Sequence, residues 1–213
     1  MLCNDAVISR EDDSVTTIGD PTETALVDLG LRFGIDKDAL LAEMPRVAEV
    51  PFDSERKLMT TIHRTEAGLM VATKGAMDEL LQACNRIVDG GKERDITAED
   101  IERLKRENEA MANQALRVLA MAYKDIDAVP EEVTPASVER DLVFVGMVGM
   151  IDPPREEVKA SVAECRKAGI RPVMITGDHR ITASAIATQL GIMTTGDRVL
   201  TGAEVERLSD DEL

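Results

Sequence analysis

The hydrophobic pattern between residues 142 and 190 admits few architectures. Residues 142–151 form a continuous apolar, β-branched run, strand-sized and well short of the ~20 residues a membrane-spanning helix needs. Residues 155–168 then pattern as a helix closed by Gly169, 171–176 as a second strand, and 181–190 as a second helix closed by Gly191. Apolar strands alternating with helices form a parallel sheet covered on both faces. The spacing therefore predicts the beginning of a doubly wound, Rossmann-like unit. So few strands can hardly bury both faces of such a sheet, so completion by sequence outside this chain is expected.

The preceding residues read differently. Asp20-Pro21-Thr22-Glu23 is a helix start, with Asp20 as N-cap, Pro21 as first helical residue and Glu23 as capping-box acid. Leu26, Leu29 and Phe33 share a face, and Gly34 ends the helix. A short helix at 36–44 stops at Pro45. Strands at 58–64 and 69–74 meet at Glu66-Ala67-Gly68, a hairpin signal. Residues 77–83 pattern as a helix, with Gly90-Gly91 as the turn beyond it. Thr97 caps a helix over 98–115, with Asp100 at the capping-box position. Residues 116–123 form another strand, and the polar stretch 125–141, with Pro130 and Pro135, is a connector. The predicted fold class is α/β in two parts. An α+β domain with an antiparallel sheet and flanking helices spans 1–125. After a connector at 126–141, an incomplete parallel-sheet unit occupies 142–213.

Charge and cysteines exclude several functions. The formal net charge of −16 repels phosphate backbones, so no nucleic-acid partner is expected. A small anion is still admissible, because distant carboxylates are screened beyond about 10 Å at 0.1 M salt. Cys3, Cys84 and Cys165 form no C-x-x-C pair and are odd in number, which fits a reducing compartment. His63 and His179 lack metal-ligand spacing. With no apolar run of spanning length, no direct membrane insertion of this segment is expected.

Several places carry chemistry. Met174-Ile175-Thr176-Gly177-Asp178-His179 combines a strand end, a glycine turn and an acid where an open α/β sheet binds ligands. Thr176, Gly177 and Asp178 suit a phosphate and its Mg²⁺. Phe52, in Pro51-Phe52-Asp53-Ser54-Glu55-Arg56-Lys57, is one of three Phe in a chain with one Tyr and no Trp. Its ring can stack on a base while Lys57 reaches phosphate or ribose; by residue type alone, the simpler reading is a cap on the hairpin core. Lys74 ends a strand before Gly75, which permits a close backbone approach, although an ordinary solvated lysine is the simpler account. Arg117 opens a strand and reads alone as a sheet-face charge. Glu23 is explained as a capping acid, yet still offers an acceptor to an adenine amino group. Asp152-Pro153-Pro154-Arg155 is explained by capping except at Arg155. A cation in a first helical turn opposes the helix dipole and calls for an anionic partner. Thr195-Gly196-Asp197 repeats a motif string but follows a helix end, so it reads as a turn. Asp125-Ile126-Asp127-Ala128-Val129 has the D-x-D-x-V form of an aspartate-nucleophile phosphatase, in a poor setting.

In chain order these segments resemble the cytoplasmic ATP-handling region of P-type cation-transporting ATPases, particularly calcium-type pumps. The matching strings are Leu2-Cys3-Asn4-Asp5, Gly19 to Leu26, Phe52 to Met59, Lys74-Gly75-Ala76, Leu116 to Ala120, Gly149 to Arg155 and Met174 to His179. The resemblance implies a nucleotide-binding domain at 1–125 and part of a haloacid-dehalogenase-like phosphorylation domain at 142–213. It implies that Phe52 stacks on adenine, and that Glu23, Lys57, Lys74, Gly75 and Arg117 line the nucleotide site. Asp152 and Arg155 would form a hinge and nucleotide contact, and Thr176, Gly177 and Asp178 would meet the γ-phosphate and Mg²⁺. His179 stands where the family commonly has Asn. ATP and Mg²⁺ are the implied cofactors. The remaining phosphorylation, actuator and transmembrane domains of a pump are the implied partners, at the cytoplasmic face of a bacterial plasma membrane. The family's Asp-Lys-Thr-Gly-Thr nucleophile string does not occur, so the resemblance implies ATP binding without turnover. Two other readings stay open: a free-standing phosphatase using Asp125 and Asp127, and a non-catalytic acidic module that docks a basic partner.

Overall fold

The computed structural model describes residues 1–213 except 12, 13, 115, 152–155, 177–179, 195 and 210–213. The chain divides into two compact units, Met1–Arg106 with Val118–Met150, and Glu107–Arg117 with Ile151–Leu213. Among the described residues no helix is long and apolar enough to cross a membrane.

The first unit opens with a hairpin, β1 (Val7–Glu11) and β2 (Ser14–Ile18), followed by helices α1 (Pro21–Arg32) and α2 (Lys37–Glu43). Strands β3 (Arg46–Asp53), β4 (Leu58–Thr65) and β5 (Gly68–Gly75) come next, then α3 (Met77–Gln82), β6 (Cys84–Asp89) and β7 (Lys92–Asp95). Helix α4 (Ala98–Ala112) and β8 (Arg117–Ile126), of which residues 107–112 and Arg117 are grouped with the second unit, the short α5 (Pro135–Val138) and β9 (Leu142–Met150) complete the series. Among the described residues, seven strands join in one sheet, in the order β3-β4-β5-β8-β9-β6-β7. The pairs β3–β4, β4–β5, β5–β8 and β6–β7 are antiparallel, and β6–β9 is parallel. A mixed α/β fold with a largely antiparallel sheet and flanking helices is thus as expected.

Cross-strand partners share a face, which separates the two sides of the sheet. Leu58, Thr60 and Ile62 lie opposite Gly75, Thr73 and Val71, which in turn face Ala120, Ala122 and Lys124. On this side Leu58, Ala120 and Ala122 pack with Met77, Leu80 and Leu81 of α3 and Leu104 of α4. A smaller cluster joins Val50, Ile62 and Val71 to Val138 of α5. The other side carries Met59, Thr61, His63 and Lys74. There the N-terminal segment packs: the Cys3 thiol donates to Met59 O at 3.3 Å.

Local sequence explains most boundaries. Asp20 caps α1 by accepting from the Thr22 N–H at 2.8 Å, and Gly34 takes the positive φ that ends it. Thr97 and Asp100 form the expected reciprocal cap of α4, which is shorter than predicted. Gly90 and Gly91, both at positive φ, form the two-residue turn of the β6–β7 hairpin, a geometry that favours glycine.

The structure corrects several expectations. Glu23 is not a capping-box acid; its carboxylate turns away from the helix start. Strands β1, β2, β3, β6 and β7 had no strong alternating signal and were not anticipated. Residues 125–141 are more than a surface connector, because Thr134 caps α5 and Val138 is fully buried. The run at 142–151 was expected to open a separate parallel sheet. Instead β9 lies between β8 and β6, with Cys84 opposite Leu142 and Ile87 opposite Phe144. Its apolar continuity did signal burial and a parallel neighbour, but in the first sheet.

In the second unit, α6 (Glu156–Lys167), α7 (Arg180–Gln189) and α8 (Gly202–Val205) are helical. The strand expected at 171–176 does not form. Val173 and Ile175 are 75% and 93% exposed, because no strand among the described residues of this unit pairs with them. The Thr194 N–H and hydroxyl donate to Asp197 at 2.7 and 2.8 Å; Thr195 of the second Thr-Gly-Asp string lies outside the described residues.

Candidate functional site

Lys74 and Glu23, fifty-one positions apart, meet in a nearly buried ion pair. Lys74 comes from the end of β5 and Glu23 from the first turn of α1. The other Glu23 oxygen accepts the Asp5 N–H at 2.8 Å, and the Glu23 carbonyl accepts the Asn4 side-chain amide at 2.9 Å. A carboxylate with a donor on each oxygen, one of them an ammonium, has much of its desolvation cost offset.

The N-terminal segment that completes this arrangement is itself anchored. Lys37, buried in α2, donates to the carbonyls of Asn4 (2.8 Å) and Ala6. Arg46 donates to Asp5 at 2.7 Å and to the Asn4 carbonyl at 2.9 Å. Burial lowers the Lys37 pKa, with Arg46 adding to the effect. Burial also pushes the Cys3 thiol up, against the opposing pull of Lys74, so Cys3 is a packed thiol rather than a nucleophile.

Strand register places Phe52 at the same end of the sheet as the pair. Val50 pairs with Thr60 and Asp53 with Leu58, leaving Pro51 and Phe52 opposite the single residue Met59. That two-against-one count is a β-bulge, a device that re-aims a side chain. Alternation from Asp53 sends Phe52 to the side of Met59 and Lys74. Its ring is 62% exposed, so it does not cap the hairpin core.

The turn after Phe52 is tightly built. Asp53 accepts the N–H groups of Glu55 (3.0 Å) and Arg56 (2.9 Å), and its carbonyl accepts from Lys57. Lys57 holds a left-handed φ of 56°, its carbonyl accepts the Ala76 N–H at 3.1 Å, and its ammonium lies 3.6 Å from Glu79. Gly75 makes this approach possible. A Cβ there would fall against the Lys57 carbonyl and within 2.6 Å of Leu58 Cδ2. The structure thus gives Gly75 a close approach to the Lys57–Leu58 backbone at the start of β4.

Of the residues singled out from sequence, Glu23, Phe52, Lys57, Lys74 and Gly75 gather at one end of the sheet. Arg117 is exposed at the start of β8 and is grouped with the second unit. Thr176 is exposed in an irregular segment. Asp152, Arg155, Gly177 and Asp178 lie outside the described residues, as does His179. Among the described residues no three Asp, Glu, His or Cys side chains converge on a metal-sized site. Asp125 is exposed near the end of β8, opposite Met70 of the antiparallel neighbour β5, a setting that does not favour the phosphatase reading, whose nucleophile needs the carboxyl end of a parallel strand.

His63 has a structural role. The Met44 carbonyl accepts from its Nδ1 at 3.0 Å, leaving Nε2 to accept from the Thr61 hydroxyl at 2.8 Å. Burial lowers its pKa, and the neutral ring satisfies both contacts. Sequence spacing gave no sign of Glu139. It is buried at the end of α5, bonded to Arg56 and Thr60, and falls in a stretch whose polarity read as loop.

Residues 1–157 match the family described as "P-type ATPase, cytoplasmic domain N". The chain is similar to calcium-transporting ATPase 1 of Lactococcus lactis subsp. lactis, with 46% identity over 213 residues, all of this chain and 24% of that protein. Calcium-transporting ATPase 1 of Bacillus cereus is 45% identical over 213 residues, again all of this chain and 23% of that protein. Cation-transporting ATPase pma1 of Synechocystis sp. is 40% identical over 201 residues, 93% of this chain and 22% of that protein. The chain thus spans about a quarter of the length of these curated relatives.

Proposed function

Since the chain belongs to the P-type ATPase family, matching its cytoplasmic N domain over residues 1–157, we propose that it binds ATP at the sheet end formed by Phe52, Lys57, Lys74 and Glu23. What supports this reading is an exposed Phe52 at a bulge of β3 opposite Met59, whose cross-strand partner is Lys74 of the Lys74–Glu23 pair. Phe52 presents a free aromatic face to adenine, a contact worth roughly 1–3 kcal/mol in nucleic-acid systems. Lys57 and Lys74 supply positive charge to the phosphates. Glu23 offers an acceptor to the adenine amino group and holds Lys74 in place. Gly75 lets the backbone of Lys57 close onto β5. Arg117, Asp152 and Arg155 join this site on family likeness.

The parent of such a chain is proposed to pass the γ-phosphoryl of ATP to an aspartate by in-line attack and to couple that step to cation transport. Calcium is the cation favoured by the relatives' names. Among the described residues no three carboxylate, His or Cys side chains converge on a metal-sized site; Mg²⁺ would come with the nucleotide. Thr176, Gly177 and Asp178 are proposed for the phosphoryl group in a partial haloacid-dehalogenase-like domain. With no Asp-Lys-Thr-Gly-Thr string in this sequence, this chain binds ATP without turning it over. Its partners are ATP and the other domains of a pump, at the cytoplasmic side of the membrane.

Titration of the 213-residue chain with ATP and with adenosine, read by backbone amide shifts, tests this. Saturable shifts at Phe52, Lys57 and Lys74 are expected, and Lys74→Ala should weaken ATP more than adenosine. No saturable shift at these positions with ATP would end the ATP-binding reading.

A further inference from the structure

Two apolar clusters lie on the α3–α4–α5 side of the sheet, and a buried polar strip separates them. At its centre the Glu139 side chain, 5% exposed, accepts from Arg56 Nη1 at 2.5 Å and from the Thr60 hydroxyl at 2.7 Å. Thr60 has one proton and gives it to Glu139, so Thr73 is the donor in the 3.0 Å Thr60–Thr73 contact. Thr73 directly precedes Lys74. From the same guanidinium, Arg56 Nη2 donates to the Pro51 carbonyl at 2.6 Å.

That last contact matters because of where Pro51 sits. Pro51 and Phe52 occupy the bulge, between the paired positions Val50–Thr60 and Asp53–Leu58. They stand outside the one-to-one pairing that holds the residues on either side of them. Arg56 therefore bridges two things: the backbone adjoining Phe52, and a buried carboxylate brought from α5, eighty-three positions along the chain. The planar guanidinium reaches both through two separate nitrogens, a rigid fork that the single nitrogen of a lysine does not reproduce.

We propose that Glu139 is a positioning residue for the nucleotide site, holding Arg56 so that Arg56 fixes the Pro51 carbonyl and the exposed face of Phe52. Glu139 touches no nucleotide; it acts through Arg56, from the opposite side of the sheet to Lys74. The inference rests on the ATP-binding reading above. It goes further in assigning a role to a residue outside the site and in making α5 part of the nucleotide platform.

Two variants test it in the full chain. Glu139→Gln keeps a Thr60 partner but removes the counter-ion. Arg56→Lys keeps the buried ion pair but gives up the bridge to Pro51, so it serves even where Glu139→Gln fails to fold. For each folded variant, ATP and adenosine affinities are measured together with the thermal midpoint and the amide shifts of Phe52 and Lys57. Arg56→Lys is expected to weaken ATP and adenosine alike by roughly fivefold, the scale of one lost hydrogen bond. It should also shift the Phe52 amide and leave the midpoint near that of wild type. Folded Glu139→Gln should show the same loss of both ligands, which a role confined to stability would not produce. Wild-type ATP binding with unchanged affinities in the folded variants overturns the positioning role alone. Absence of ATP binding by wild type overturns the functional reading beneath it.

Discussion

The two units handle their apolar strands differently. In the first, Val71, Ile62 and Ala120 disappear into a sheet that its own hairpins assemble. In the second, Val173 and Ile175 remain exposed, although the sequence around them reads as a strand. Hairpin neighbours lie a few residues apart, whereas parallel neighbours must arrive through long crossovers. A stretch of antiparallel chain can therefore complete itself, while a stretch of parallel-sheet chain depends on strands supplied from far away. The same contrast separates their candidate sites: Glu23 and Lys74 hold each other, whereas Thr176 sits exposed in an irregular segment.

The sharpest attack on this contrast is Lys74→Ala. It leaves Glu23 without its counter-ion in a nearly buried setting and should cost about 3 kcal/mol of stability, measured by denaturant unfolding of the first unit. A loss below about 1 kcal/mol would show that the pair contributes little to the unit's order. Gly75→Ala should come next, at about 1–3 kcal/mol, since its Cβ overpacks against the Lys57–Leu58 backbone. It should also disturb the Lys57 amide. A neutral Gly75→Ala would deny the close approach of β4 to β5.

A pH series isolates one buried group of the first unit. Burial lowers the folded-state pKa of His63 below its ordinary 6.5, so the unfolded chain takes up the proton more readily. The contribution is fully present above pH 6.5 and is lost as pH falls below it. Unfolding free energies between pH 7 and 5 should decline for wild type and flatten for His63→Gln. Equal slopes would remove His63 as the cause. Smallest of all is Ile175→Ser, expected within about 0.5 kcal/mol because that residue is 93% exposed. A loss of several kcal/mol would contradict the contrast between the units.

Legibility followed the range of the interactions. The β4–β5 hairpin, the Asp20 cap and the Thr97–Asp100 cap depend on residues within a few positions, and their local signals predicted them. Strands β3, β6 and β7 escaped because their burial patterns are weak and their partners decide their conformation. Run 142–151 declared its burial but not its sheet, since β6, its parallel partner, lies more than fifty positions earlier. Within the site, Phe52, Lys74 and Glu23 stood out singly by type, and the family resemblance joined them. Glu139 gave no signal at all, because a glutamate in a polar stretch is ordinary until the fold buries it beside Arg56.

The most direct test of the central claim is Phe52→Ala against ATP. The ring is exposed and supports no core, so the thermal midpoint should stay within experimental scatter of wild type. Affinity for both ATP and adenosine should fall by about 1–3 kcal/mol, the scale of a lost stacking contact. Equal nucleotide affinity in the variant and wild type, with both folded, would contradict the placement of adenine on this sheet end.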